Sequence, residues 1–145
     1  MKNLPLKNTF MQYQKEDLLQ CHRKIQPYIH RTPVLTSQAL NKMAGAEIFF
    51  KCENFQRMGA FKMRGAAYAI LNLSDEQKAN GVVTHSSGNF AQAVALSAQM
   101  LGIKAYIVMP HNAPQVKKDA VRGYCLLYTS PSPRDATLSR MPSSA

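Results

Sequence analysis

Reactive side chains gather in two stretches of this 145-residue chain. The first runs Lys51-Cys52-Glu53-Asn54-Phe55-Gln56-Arg57-Met58-Gly59-Ala60-Phe61-Lys62-Met63-Arg64-Gly65. It reads as a strand end, a loop turning at Gly59 and a helix with Lys62 in its first turn. A lysine is electrostatically misplaced there, because the positive end of the helix dipole favours anions. Flanking Phe61 and Met63 add desolvation, and such a setting favours a neutral amine, the form that condenses with a carbonyl group. The same spacing equally suits a surface lysine on an amphipathic helix.

The second stretch is Thr84-His85-Ser86-Ser87-Gly88-Asn89. It lies between an apolar strand and an Ala-rich helix. Two hydroxyls, a glycine and an amide at a strand-to-helix turn supply free N–H groups and side-chain donors. That chemistry suits a small anion, a carboxylate or a phosphate. The other reading is an ordinary helix cap using Ser or Asn. Further candidates are thinner. His22, His30, His85 and His111 have no metal-ligand spacing, so no metal site is expected. No GxGxxG and no phosphate-binding GxxxxGK loop occurs. Glu53 and Asp75 show no pairing for acid–base work, and Cys52 at a strand end fits a core position.

Positioning these groups needs a specific order of elements. Helical spacing of Leu18, Leu19, Cys21 (or His22) and Ile25 predicts a helix over 15–29, opened by Glu16 and Asp17. Thr32-Pro33 breaks it. A short helix over 37–44 stops at Gly45, and 47–52 (EIFFKC) reads as a strand. Residues 61–73, free of proline, form the lysine-bearing helix. Ser74 and Gln77 sketch a capping box for the next helix, which ends at Gly81. Then come strand 82–84, helix 90–101 with Gly102 as its stop, strand 104–109, and a helix opened by Ala113-Pro114. Strand–helix–strand–helix with apolar strands implies α/β architecture, a parallel sheet with flanking helices. Open sheets of that kind bind ligands at the carboxyl ends of their strands, where the 86–89 turn falls.

Composition narrows the partners. Lys and Arg number 18 against 8 Asp and Glu, a formal charge of +10. The charge is dispersed, with Lys117-Lys118 and Arg23-Lys24 the adjacent pairs, so nucleic acid is not the expected partner. No apolar run is long enough to span a bilayer. The cysteines Cys21, Cys52 and Cys125 form no CxxC and no disulfide framework. A cytoplasmic setting is expected. Residues 125–145 hold Ser, Thr or Pro at ten of 21 positions. They show no core face and no strand partner, and are read as a disordered or foreign tail, similar to translated adapter DNA.

Together the motifs resemble the fold-type II pyridoxal-phosphate enzymes (tryptophan synthase beta-like), in particular the serine/threonine dehydratase and serine racemase family. His30-Arg31-Thr32-Pro33-Val34-Leu35 is similar to that family's N-terminal segment. Lys51 to Gln56, Gly59 to Lys62 and Arg64-Gly65-Ala66 are similar to its lysine motif. Ser86 to Asn89 with Ala91-Gln92 is similar to its substrate loop. The likeness spans about residues 25–124. It implies pyridoxal phosphate held covalently on Lys62, with Phe61 beside the ring and Asn89 bonded to it. Ser86, Ser87 and Gly88 would hold a substrate carboxylate, and Ser87 would serve as acid–base on the opposite face. Phe90 departs from the family's usual histidine.

The implied activity is elimination from L-threonine or L-serine to a 2-keto acid and ammonia, with serine racemisation as a further outcome. The resemblance also implies a homo-oligomer and a divalent-metal site in the longer family members, neither carried by motifs here. It assigns 1–80 to part of a large domain and 81–124 to part of a small one, so this chain by itself is expected to be an inactive fragment. A different class stays open on the residues alone: a non-catalytic α/β module that binds a small carboxylate metabolite at Ser87–Asn89.

Overall fold

The computed structural model describes residues 13–124 and the backbone of 127–129. Six helices and five strands follow in the order α1 (Lys15–Ile25), β1 (Val34–Leu35), α2 (Gln38–Ala44), β2 (Phe50–Lys51), α3 (Lys62–Leu71), α4 (Asp75–Asn80), β3 (Val82–His85), α5 (Asn89–Met100), β4 (Ala105–Val108), α6 (Gln115–Tyr124) and β5 (Leu127–Thr129). Short 3-10 turns at Gln26–Tyr28, Glu53–Phe55 and Arg57–Gly59 fill the gaps. The predicted punctuation is realised. Ser37 Oγ caps α2, and Gly45 closes it at φ 64°. Ser74 and Gln77 form a reciprocal capping box on α4.

The parallel sheet has the order β3-β4-β5. Val82 faces Ala105 and His85 faces Val108, while Tyr106 to Val108 pair with Leu127 to Thr129. This corrects one expectation. A three-residue strand lies beyond residue 124, paired in parallel with β4. Hydrogen bonding along β4's open edge recruits it whatever the surrounding composition. The remainder of the predicted tail lies outside the described residues.

The first predicted strand is also corrected. Only Phe50–Lys51 of 47–52 is strand, and it pairs antiparallel with Val34–Leu35 in a separate two-stranded ribbon. The reason is local. Asn41 of α2 takes the Ile48 N–H with its side-chain oxygen at 3.0 Å and the Ala46 N–H with its carbonyl at 3.3 Å. Those groups are therefore spent before a ladder can use them.

The core lies between α3, α5 and the parallel sheet. α3 buries Met63, Ala66, Ala67 and Ile70, one face at helical spacing. α5 is buried nearly all round, from Ala91 to Ala95 and at Ser97 and Ala98. A helix enclosed on both sides must be apolar and small, and alanine lets its neighbours approach closely. Ala66 and Ile70 share a core with Ala91, Val94, Ile107 and Met109, so buried packing runs across residue 80. Gly81 joins α4 to β3 at φ 87°, where a Cβ would stand 2.8 Å from the Lys104 carbonyl oxygen. No helix among the described residues is long and apolar enough to cross a membrane.

Candidate active site

Two helix starts carry the candidate residues. Lys62 is the first residue of α3, and Asn89 is the first residue of α5, which packs against α3. The turn ahead of Lys62 is tightly wound. Met58 has φ 54° and Gly59 φ 75°, two left-handed residues in succession. A non-glycine residue in that region carries strain, here offset as Met58 packs against buried side chains of both core clusters. The reversal delivers Ala60 into the core and leaves Phe61 and Lys62 exposed.

The Lys62 amine lies 5.0 Å from the Phe61 ring centroid, a cation–π contact. Among the described residues it makes no hydrogen bond. No hydrogen bond joins it to the 86–89 turn either. α3 has no acid in its first turn and no side-chain cap.

The second turn is held lightly. The Ser86 N–H donates to the Val108 carbonyl at 3.1 Å, which ties the turn to the end of β4. The Gly88 N–H donates to Ser86 Oγ at 3.3 Å. Neither Ser86, Ser87 nor Asn89 caps α5, so the ordinary-cap reading does not hold. Ser87 is exposed. Asn89 Oδ1 accepts a hydrogen bond from Lys117 Nζ at 2.9 Å. Lys117 lies on α6, a residue that sequence reasoning noted only as half of a basic pair.

Sequence reasoning missed a second group altogether. Glu53 accepts from Arg64 Nε at 2.9 Å and from a terminal Arg64 nitrogen at 2.7 Å, a two-pronged ion pair. Thr32 Oγ1 donates to the same carboxylate at 2.6 Å, and Lys51 Nζ donates to the Thr32 carbonyl at 2.6 Å. The Arg64 hydrogen bonds, with help from Thr32, hold the Glu53 carboxyl at about 2 against its ordinary 4.5. Gln56 is buried beside this cluster. Its oxygen accepts from the His30 and Arg57 N–H groups at 2.7 and 3.0 Å, and its amide donates to the His30 carbonyl at 3.0 Å. Glu53 is thus ion-paired with Arg64, and Asp75 sits 3.9 Å from Lys78; neither faces a second acid among the described residues. Cys52 is half-exposed rather than in the core, and its thiol donates to the Phe50 carbonyl at 3.4 Å. The strand it was meant to end is too short to bury it.

The donor set fits the aldehyde and ring of the expected cofactor, with an exposed primary amine and an amide, and leaves a helix start without a side-chain cap for a carboxylate. The comparisons with known proteins agree. The chain belongs to the family of pyridoxal-phosphate dependent enzymes, whose model matches residues 25–124. It is 50% identical over 130 residues to the beta-hydroxyaspartate dehydratase of Paracoccus denitrificans (strain Pd 1222), with 87% of this chain and 41% of that protein covered. The serine racemase structure from Dictyostelium discoideum superposes with a TM-score of 0.77 at 43% identity, covering 86% of this chain and 42% of that one. The processed form of threonine deaminase isoform 2 from Solanum lycopersicum gives a TM-score of 0.70 at 35% identity, covering 83% and 36%. The chain spans about two fifths of each of these proteins. Pyridoxal phosphate is the family's cofactor, and the fold is that of its fold-type II members.

Proposed function

We propose that the chain is the lysine-bearing part of an enzyme that eliminates the β-hydroxyl of a small hydroxy amino acid, L-serine or L-threonine. The products are a 2-keto acid and ammonia, and racemisation at Cα is a second outcome. The observation that carries this reading is Lys62: an exposed amine without a hydrogen bond among the described residues, at the first position of a helix packed on the one that begins at Asn89. Pyridoxal phosphate, when bound, supplies an aldehyde carbon that accepts an amine and a ring that spreads the electron pair left at Cα.

In this reading the Lys62 amine would hold the cofactor. With the cofactor and substrate bound, the Lys62 amine would take the Cα proton from one face. Phe61 flanks the ring, and Asn89 directs its amide to it. The N-terminal turn of α5, with Ser86, Ser87 and Gly88, binds the substrate carboxylate through N–H and O–H donors. The β-hydroxyl would take a proton and leave as water, and water adding to the resulting imine carbon would release the keto acid and ammonia. A proton delivered to Cα by the Ser87 hydroxyl inverts the centre instead. A dehydratase, a racemase and a deaminase all appear among the similar proteins, and loss of the Cα proton is a first step that elimination and racemisation can share.

The 145 residues contain no glycine-rich run to cradle a phosphate, so the chain by itself has no useful turnover in this reading. The test is direct. The chain is incubated with pyridoxal phosphate, reduced with borohydride and mapped by mass spectrometry, with L-serine and L-threonine assayed for keto-acid release. Label concentrated on Lys62 supports the reading. Label spread over all lysines, with serine still bound, favours the carboxylate-binding module.

A further inference from the structure

The cluster around Glu53 joins three segments that are distant in sequence. Thr32 belongs to the stretch before β1, Glu53 to the 3-10 turn after β2, and Arg64 to the first turn of α3. One residue, Met63, separates Arg64 from Lys62. Cations at the start of a helix oppose its dipole, and α3 carries two of them with no acid of its own. Glu53 supplies that missing negative charge from outside the helix. Its pair with Arg64 leaves 27% of the arginine side chain and 19% of the glutamate side chain exposed, so solvent screens it less than a surface pair.

The same carboxylate is closed off on its other side. Thr32 is buried at 4% exposure and spends its hydroxyl on Glu53 Oε1. Gln56 continues the seam one turn further, from the end of Glu53's own 3-10 turn to the backbone of His30. The seam therefore fixes the entry angle of α3 without touching the Lys62 side chain.

We infer that Glu53 is a positioning residue for Lys62: by binding Arg64 in two prongs and Thr32 on the same oxygen, it holds the first turn of α3 where its leading amine is presented. The inference rests on the proposed role of Lys62 for its functional meaning but not for its geometry. Losing the carboxylate charge leaves Arg64 half-buried without its counter-ion, and the turn that carries Lys62 loosens.

Two measurements on the 145-residue chain test this. The first is amide hydrogen exchange, which needs no cofactor. In Glu53→Gln, amides 64–67 should exchange about tenfold faster, while those of α5 at 93–98 keep their rates. The second is the share of borohydride-fixed pyridoxal-phosphate label that falls on Lys62, with Lys78 and Lys104 as internal references. That share should drop severalfold. Thr32→Val should shift both readouts the same way by a smaller factor, and Thr32→Ser, which keeps the hydroxyl, should restore them.

Unchanged exchange at 64–67 in a folded Glu53→Gln overturns the inference, as does faster exchange with an unchanged Lys62 share. Slower labelling of all lysines alike would show a merely structural role and also overturns it. If Glu53→Gln fails to fold, the Thr32→Val and Thr32→Ser pair decides, and equality of the two overturns it. If the unmodified chain shows no preference for Lys62, the proposed function fails, while the exchange arm still decides the role of Glu53.

Discussion

The 53–56 turn and the 86–89 turn are both short and polar, and each precedes a helix of the site. They are held in opposite ways. In the first, Glu53 and Gln56 spend their side chains inside the molecule on Thr32, Arg64, His30 and Arg57. In the second, Ser87 is exposed, α5 lacks a side-chain cap, and Asn89 is met by one lysine. Polar residues that satisfy one another build a frame. Polar residues left facing outward are available to a ligand. On the proposed function, the two turns therefore separate fixing a site from using it.

That separation makes opposite predictions for substitution. The largest effect belongs to the outward side. Lys62→Ala should reduce pyridoxal-phosphate labelling at this helix to nothing, while the urea midpoint barely moves, since exposed substitutions stay within about 0.5 kcal/mol. Normal visible absorbance of the cofactor in that variant would remove Lys62 from the site.

Gln56→Ala should behave in reverse. It deletes a buried amide with three hydrogen bonds and strands the backbone groups of His30, at a cost of about 2–4 kcal/mol in urea unfolding. A cost below about 0.5 kcal/mol would show that the inner turn is as lightly held as the outer one.

The next effect depends on pH. The Glu53 carboxyl is held at about 2, below its ordinary 4.5. A carboxyl depressed on folding binds fewer protons in the folded chain than in the unfolded one. Its contribution is complete above about pH 4.5 and is lost as pH falls towards 2. Glu53→Gln should therefore remove stability at neutral pH and flatten the acid limb between these values. An acid limb of unchanged slope would mean the ion pair contributes nothing.

The smallest effect is expected at Lys117. Its bond to Asn89 is exposed, so Lys117→Met should cost no more than about 0.5 kcal/mol and leave the fold intact by circular dichroism. A larger loss would place the 86–89 turn on the frame side of the comparison.

Much of this arrangement is legible in the chain itself. Gly59, Lys62 and the Ser74–Gln77 box act through neighbours a few residues away, and sequence shows such neighbours directly. The βα alternation from Val82 to Tyr124 is legible for the same reason, since each apolar run is bounded by its own glycine or proline. The Glu53–Arg64 pair is not. It closes across eleven residues and needs Thr32, 21 residues from Glu53, to complete it. Nothing in residue type distinguishes it from two solvated charges. A signal was present nonetheless, because a helix with Lys62 and Arg64 at its start and no acid of its own calls for a carboxylate from elsewhere. The antiparallel ribbon of β1 and β2 was hidden by Asn41, whose claim on Ile48 appears only once α2 is folded. Strand Leu127–Thr129 was hidden by the polar residues that follow it.

Gly81 carries a consequence for how freely this chain can vary. Val83, two residues on, is 75% exposed and presents its side chain to the outside, so many replacements fit there without touching a neighbour. At Gly81 the backbone has φ 87° and ψ −177°, and any side chain would collide with the Lys104 carbonyl. Backbone strain and collision act together, and neither is relieved by choosing a smaller residue, since alanine already has the offending carbon. A library of random variants sorted for soluble folded protein should keep a broad spectrum at 83 and a single letter at 81. The junction between α4 and β3 is thus a fixed point of the sequence, set by the backbone of the neighbouring strand and independent of any chemistry at Lys62.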